Sequence, residues 1–146
     1  MSPYRPEWAQ AETEAMNNMA YQRHLDIRIT DVTEGYARAV MPVAAFQGNR
    51  FGVVHGGAIC SLADTAASMA VRSTVFPGQR TATIDLTVSF LAPVKGKEII
   101  ADGRLVRRGS TIGFVDIAVR DDQGTLVAQG LGTFMIFREE EGSREA

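Results

Sequence analysis

Between Thr81 and Leu91 apolar and polar residues alternate, Ala82, Ile84, Leu86, Val88 and Phe90 against Thr81, Thr83, Asp85, Thr87 and Ser89. A period of two residues predicts a strand with one face on a core and the other polar. Three more strand-like runs follow, Glu98 to Arg107, Thr111 to Arg120 and Thr125 to Phe137. Turn residues at Pro93 to Gly96, Gly109-Ser110 and Asp121 to Gly124 separate them, and such short joints predict an antiparallel meander. Upstream, Leu25 to Val32 and Tyr36 to Val43 read as two strands joined by Thr33-Glu34-Gly35, a hairpin signal. Glu7 to Ala20 is rich in helix formers and predicts a short helix at about 7–20. Ala44 to Val54, with Gly48, Asn49 and Gly52, reads as a loop.

From Gly56 to about Thr74 the pattern becomes a helix that is apolar nearly all round, closed by Pro77-Gly78. Such a helix belongs inside a core. Two strands, one buried helix and four strands are satisfied together by an α+β fold, a curved antiparallel sheet wrapped around the helix. No repeat or linker interrupts the chain, so residues 1–146 read as one domain, with a disordered acidic tail at about 138–146.

Composition narrows the function classes. The 146 residues are 45% hydrophobic, enough for one core. The net charge of -2 is carried by the tail from Arg138 to Ala146, with four Glu and two Arg. The balanced remainder gives no electrostatic reason to bind nucleic acid or an anionic membrane. The single Cys60 rules out an intrachain disulfide, and the N-terminus lacks the basic start and apolar run of a secretory signal. Ala58 to Val75, the most apolar stretch, is interrupted by Ser61, Asp64, Thr65, Ser68 and Arg72 and is too short to span a bilayer. The expectation is a cytoplasmic protein.

Candidate chemistry gathers between Asn49 and Ser68. His55-Gly56-Gly57 leads directly into the apolar helix, whose first N–H groups lack partners and whose dipole makes that end electropositive. Glycines there let a ligand oxygen approach the backbone, which would stabilise an oxyanion. They would equally permit tight packing at the helix entry. Asp64 lies mid-helix among apolar residues, where an unsatisfied carboxylate is costly. It is either a reactive group or a structural one held by Ser61, Ser68 or a strand.

Gly57 and Asp64 are two turns apart, on one helix face but separated by ~10 Å along the axis. An oxyanion donor and a base for water must both lie within ~3 Å of the reacting groups. One helix cannot serve one carbonyl with both, whereas two antiparallel copies about a two-fold axis could. The expectation is at least a homodimer with composite sites. There is no G-x-S-x-G elbow, no zinc-site spacing and no Walker A or Rossmann glycine pattern, and Cys60 reads as a small core residue.

Gly48-Asn49, V-H-G-G-A-I-C-S-L-A-D-T-A from Val54, T-I-D-L-T-V-S-F-L-A-P from Thr83 and L-V-R-R-G-S-T-I-G-F-V-D-I from Leu105 together resemble the PaaI-type members of the hotdog-fold thioesterase superfamily, over about Leu25 to Phe137. The resemblance implies hydrolysis of an acyl-CoA to free acid and CoA with no metal or organic cofactor. In it Gly57 matches the N–H that polarises the thioester carbonyl, and Asn49 the amide that orients thioester or water. His55 matches the motif histidine near the sulfur. Asp64 matches the base or nucleophile supplied by the opposing subunit, and Thr83 a hydroxyl that positions water, where similar proteins often have Ser. The turn Arg107-Arg108-Gly109-Ser110 resembles the region that meets the CoA phosphates.

Asp rather than Glu at position 64 favours the PaaI-like branch, and the His–Asp arrangement of the superfamily's dehydratases is not seen. Aromatic (phenylacetyl- or hydroxyphenylacetyl-like) and medium-chain acyl groups are the expected substrates, and a homotetramer built as a dimer of dimers the expected assembly. Ser61, Leu62, Thr65 and Ser68 are candidate lining residues from their helix positions. A non-catalytic acyl-CoA sensor and an acyl-ACP thioesterase are the alternative readings.

Overall fold

A computed structural model describes residues 4–140. Its elements run α1 (Pro6–Asn17), α2 (Ala20–Leu25), β1 (Arg28–Thr33), β2 (Tyr36–Pro42), a 3-10 turn (Ala45–Gln47), α3 (Gly56–Arg72), β3 (Gln79–Phe90), β4 (Glu98–Arg108), β5 (Ile112–Asp121) and β6 (Leu126–Arg138). The strands form one antiparallel sheet in the order β1-β2-β4-β5-β6-β3.

The α+β expectation holds, a curved sheet around a central helix. The order corrects the expected meander. β4, β5 and β6 do follow one another through short turns, but β3 lies beside β6 at the sheet edge and β4 lies beside β2. The segment between Phe90 and Glu98 is long enough to leave the neighbouring position and cross the end of the sheet.

The N-terminal helix is also shorter than expected, because two asparagines divert the backbone. Asn18 donates its side chain back to the Glu14 carbonyl at 2.9 Å, closing α1. Asn17 reaches β1, accepting from the Ile29 N–H at 2.8 Å and donating to the Ile29 carbonyl at 3.1 Å. The chain then forms α2, which ends at Asp26 in the left-handed region, φ 56°. The strand expected from Leu25 therefore begins only at Arg28. Arg138, expected in the tail, closes β6, and residues 141–146 of that tail lie outside the described residues.

α3 packs into the sheet with Ile59, Leu62, Ala63, Ala66, Ala67, Met69, Ala70 and Val71 buried against Met41, Ile99, Val115, Val119 and Phe134. Its small residues allow a close approach. A Cβ on Gly103 of β4 would stand 2.9 Å from the backbone of Ala66 and Ala67. Arg72 at the helix end pairs with Glu12 of α1, tying the N-terminal helix to the core element.

The alternation in β3 is interrupted. Its register against β6 shifts between Thr83 and Asp85, a bulge at Ile84. Thr81 and Thr83 pair with the buried Ile136 and Phe134 and face α3, whereas beyond the bulge it is Leu86 and Val88 that pack on the core. Ile84 is left 50% exposed. The five apolar residues expected on one face are thus divided between two, and a threonine is delivered to the helix.

Candidate active site

One stripe of α3 is not buried: Gly57 is exposed, and Cys60, Ser61, Asp64 and Ser68 are half-buried. Residues spaced three and four apart share one helix face, so this stripe is the side of α3 that the sheet leaves open. Leu62 and Thr65 do not belong to it. Leu62 is fully buried in the core, and Thr65 is 4% exposed with its hydroxyl donated to the Ser61 carbonyl at 2.8 Å.

Asp64 is held by β3. The Thr83 hydroxyl, delivered by the bulge, donates to its carboxylate at 2.9 Å. Burial raises the Asp64 pKa above the usual carboxylate range, and the Thr83 hydrogen bond opposes that rise without cancelling it. A carboxylate biased toward taking a proton, with one oxygen steadied, suits a general base. Cys60, one turn earlier, has its thiol pushed up by burial and by the Asp64 charge, which disfavours a thiolate nucleophile.

The helix start, where the glycines fit either an oxyanion site or tight packing, is capped in this structure. The Ala58 and Ile59 N–H groups both reach the His55 carbonyl, at 3.0 and 3.3 Å. The Gly57 N–H donates to His55 Nδ1 at 2.8 Å, so the imidazole is the N-cap of α3. Accepting through Nδ1 places the neutral ring's proton on Nε2. A substrate carbonyl can take the Gly57 N–H only once this ring swings aside. Both glycines also have packing reasons: a Cβ on Gly56 would stand 3.1 Å from the Phe90 ring, and one on Gly57 3.0 Å from His55 Nδ1.

Asn49 shapes the preceding loop, its Oδ1 accepting from the N–H of Phe51 at 2.8 Å and of Val53 at 3.4 Å. Its amide nitrogen makes no hydrogen bond among the described residues. The His55 N–H donates to the Gln47 carbonyl at 2.7 Å, holding the loop against the helix start.

Asn49, His55 and Gly57 are therefore together at one end of α3, and Asp64 with Thr83 two turns on. The turn Arg107–Ser110 lies beyond the opposite end. Gly113, just past it, packs against Val71, fourteen positions and ~20 Å along the helix from Gly57. Arg107 is exposed, and Arg108 donates to the Gly109 carbonyl at 2.7 Å while its buried Nε has no partner among the described residues.

Tyr21, which no motif in the sequence marks, places its hydroxyl 2.6 Å from Ser61 Oγ. It and Phe46 wall a cavity of about 200 Å³ that reaches His55 and Gly57. Tyr21 and Phe46 stand far apart in the sequence, in α2 and the 3-10 turn, and no spacing or motif marks them as partners. A larger cavity of about 610 Å³ lies on the outer face of the sheet, among Asp102, Arg104, Asp116 and Arg120, across the sheet from α3. Among the described residues no cluster of three or more His, Cys, Asp or Glu could hold a metal ion, and no helix is long and apolar enough to cross a membrane.

Residues 51–128, which hold the last residues of the loop, all of α3 and the Thr83 hydroxyl on Asp64, match the sequence profile of the thioesterase superfamily. The chain belongs to that superfamily. It is a PaaI-like hotdog thioesterase, a thioester hydrolase. It is 39% identical over 127 residues to a Halobacterium salinarum protein that carries the name of an esterase, covering 80% of this chain and 83% of that one. Acyl-coenzyme A thioesterase 13 of Mus musculus is 30% identical over 87 residues, 58% of this chain and 61% of that protein. The structure of the Escherichia coli PaaI protein from the phenylacetic acid degradation operon superposes with a TM-score of 0.82 at 30% identity, covering 92% of this chain and 95% of that one.

Proposed function

We propose that this thioesterase hydrolyses acyl-CoA, with aromatic or medium-chain acyl groups, at composite sites built by two copies of the chain. The observation that carries the reading is Asp64 itself, a half-buried carboxylate of raised pKa, open on one face and steadied by Thr83. Asp64 takes a proton from water as the water oxygen attacks the thioester carbonyl. The oxyanion sits on the helix-start N–H of Gly57 and collapses, breaking the carbon–sulfur bond, and the proton held by Asp64 passes to the departing CoA sulfur. Asn49 orients the thioester through its amide nitrogen, and His55, having left Gly57, lies near the sulfur. Attack by the carboxylate itself is the second form of this reaction. A single turnover in oxygen-18 water distinguishes them, since only that route labels Asp64.

Three features support a composite site. Gly57 and Asp64 are too far apart on one helix to serve one carbonyl, and the Arg107–Ser110 turn is farther still. The two sheet edges also differ. β1 is covered by Asn17 of α1, bonded to both backbone groups of Ile29, whereas β3 pairs with β6 alone among the described residues. An open edge of twelve residues is a template for a second copy. Antiparallel pairing of two such edges would set the two α3 helices head to tail and bring each Asp64 toward the other chain's Gly57. Two such dimers pairing would give the tetramer.

The test is a thiol-release assay over CoA and carrier-protein thioesters, with Asp64→Asn as control. Turnover in the wild type that drops by ~10²–10⁴ in the variant, with substrate binding kept, supports the reading. Binding without turnover favours a sensor, and preference for the carrier-protein thioesters an acyl-ACP enzyme. Mixing Asp64→Asn with Gly57→Val chains should restore about a quarter of full activity, because half the dimers then hold one intact site.

A further inference from the structure

The start of α3 separates two cavities, of which only one carries polar side chains. Gly56 and Ile59 border one, and Gly57 and Ser61 the other, on sides of the helix ~150° apart at 100° per residue. On the Gly56 side is a groove of about 450 Å³ walled by Val53, Val54, Ile59, Phe90, Leu91 and Val94, with no polar side chain in its lining. Its volume is in the range that takes a small ligand. On the Gly57 side is the cavity of about 200 Å³, which presents Tyr21, Ser61 and His55 together with the apolar Leu25, Phe46 and Ala58.

The hydrogen-bond order in the smaller cavity follows from counting protons. Ser61 has one hydroxyl proton and donates it to the Gly57 carbonyl at 3.0 Å. The Tyr21 hydroxyl, 2.6 Å from Ser61 Oγ, is therefore the donor of that pair. Its oxygen lone pairs remain as acceptors facing the cavity. Tyr21 and Phe46 come from outside residues 51–128, the stretch matched to the family, so this wall is supplied by this chain's own α2 and loop.

We infer that the two cavities orient the thioester, the acyl group lying in the Val53–Phe90 groove and the cysteamine amide of CoA against Tyr21 and Ser61. This rests on the acyl-CoA reading above. Both desolvation costs point the same way. An amide placed in the apolar groove would lose its hydrogen bonds, at ~1–3 kcal/mol each. An acyl chain placed in the smaller cavity would cover the Tyr21 lone pairs and the His55 Nε2 without giving either a partner. With the carbonyl at the helix end, each arm runs down the side whose chemistry it matches. Val53 and Phe90 then determine acyl specificity, and Tyr21 and Ser61 position the CoA arm.

The test uses the full-length protein and two probes, free CoA and a series of non-hydrolysable S-alkyl-CoA thioethers of increasing chain length, with affinities read by calorimetry. Val53→Trp, which fills the groove, is expected to weaken the longer thioethers by ~10-fold while free CoA stays within about twofold. Phe90→Ala, which opens it, should shift the preference toward longer chains. Tyr21→Phe, which keeps the ring and removes the acceptor, should weaken free CoA and every thioether by one common factor of ~3–10. The crossed pattern, Val53→Trp acting on free CoA and Tyr21→Phe on long chains only, overturns the assignment and leaves the thioesterase reading standing. So does a folded set of variants with unchanged affinities. A wild type that turns over no CoA thioester and binds none of the probes removes the acyl-CoA reading, and this inference with it.

Discussion

The Thr83 hydroxyl donates to the Asp64 carboxylate across 2.9 Å, and the two residues meet only because β3 bulges at Ile84. Without the bulge, the alternation that puts Leu86 and Val88 on the core would turn Thr83 to the outer face. A structural irregularity of one residue thereby decides whether the carboxylate has a partner.

That partner sets the first prediction. Burial raises the Asp64 pKa and the Thr83 hydrogen bond lowers it, because the bond favours the charged form. Asp64 works as a base only when deprotonated, so turnover falls as pH drops through its raised pKa. Thr83→Val removes the lowering influence, and the acid limb of the kcat profile should move to higher pH, making the variant several-fold slower at a fixed pH on that limb. Thr83→Ser should restore the limb. A profile that superposes on the wild type would show that the titrating group is not Asp64.

His55 gives a prediction about stability. Its Nδ1 caps α3 through the Gly57 N–H, and loss of a side-chain cap costs ~1 kcal/mol. His55→Ala should therefore lower Tm by a few degrees in thermal denaturation. His55→Asn, whose short side chain also caps, should recover most of the loss. If both variants lose equally, the imidazole contributes packing rather than a cap.

How much of this was legible follows from what each pattern encodes. α3 was readable from its residues, since an apolar helix carrying one carboxylate has little choice but the core, and Gly57 and Asp64 had to share its open face. The strands were readable one by one from alternation. Their partners were not: Glu98 carries no mark that it follows Lys97 into the place beside Pro42 rather than beside Phe90. The bulge was invisible because Ala82, Ile84, Leu86, Val88 and Phe90 alternate as though the strand were regular. The capping of Gly57 by His55 was likewise hidden, since the glycines fit an open anion site and a folded-back imidazole equally well. That Leu62 and Thr65 are buried was not legible for a simpler reason, as helix spacing alone does not say how wide the open stripe is.

The exposed edge of β3 yields a prediction on assembly. Ile84 and Thr87 lie on the outer face, exposed, so lysines there leave the core intact. Lysines along an edge oppose strand pairing. The double variant Ile84→Lys, Thr87→Lys should sediment as a smaller species and lose activity although Asp64, Thr83, His55 and Gly57 are untouched. An unchanged mass with full activity would place the subunit contact elsewhere.

The Arg107–Ser110 turn is expected to act on CoA and not on the bond broken. Arg107 is exposed, and Arg108 has a buried Nε without a partner among the described residues. Replacing both with Ala should raise KM for CoA thioesters several-fold while kcat is kept, the pattern of lost uniform binding. A short thioester lacking the nucleotide should show no difference between variant and wild type. An unchanged KM removes the phosphate contact.

The last prediction concerns the joint between helix and sheet. A Cβ on Gly103 would stand 2.9 Å from the Ala66 carbonyl and from the Ala67 Cα, closer than side-chain carbons approach in packed proteins. Those atoms are backbone in the middle of α3, so no rotamer change relieves them and the helix must lift from β4. Overpacking of this kind costs ~1–3 kcal/mol. The effect should also reach the site, because Asp64 lies two residues before Ala66 and its bond to Thr83 depends on where α3 sits against the sheet. Gly103→Ala is expected to lower Tm by several degrees and to reduce kcat together with it. Gly124→Ala, at a surface turn with φ +84° and nothing within 4 Å of the added carbon, should strain only its own turn and leave kcat unchanged. Equal activity in both variants would mean that α3 can move on the sheet without disturbing Asp64.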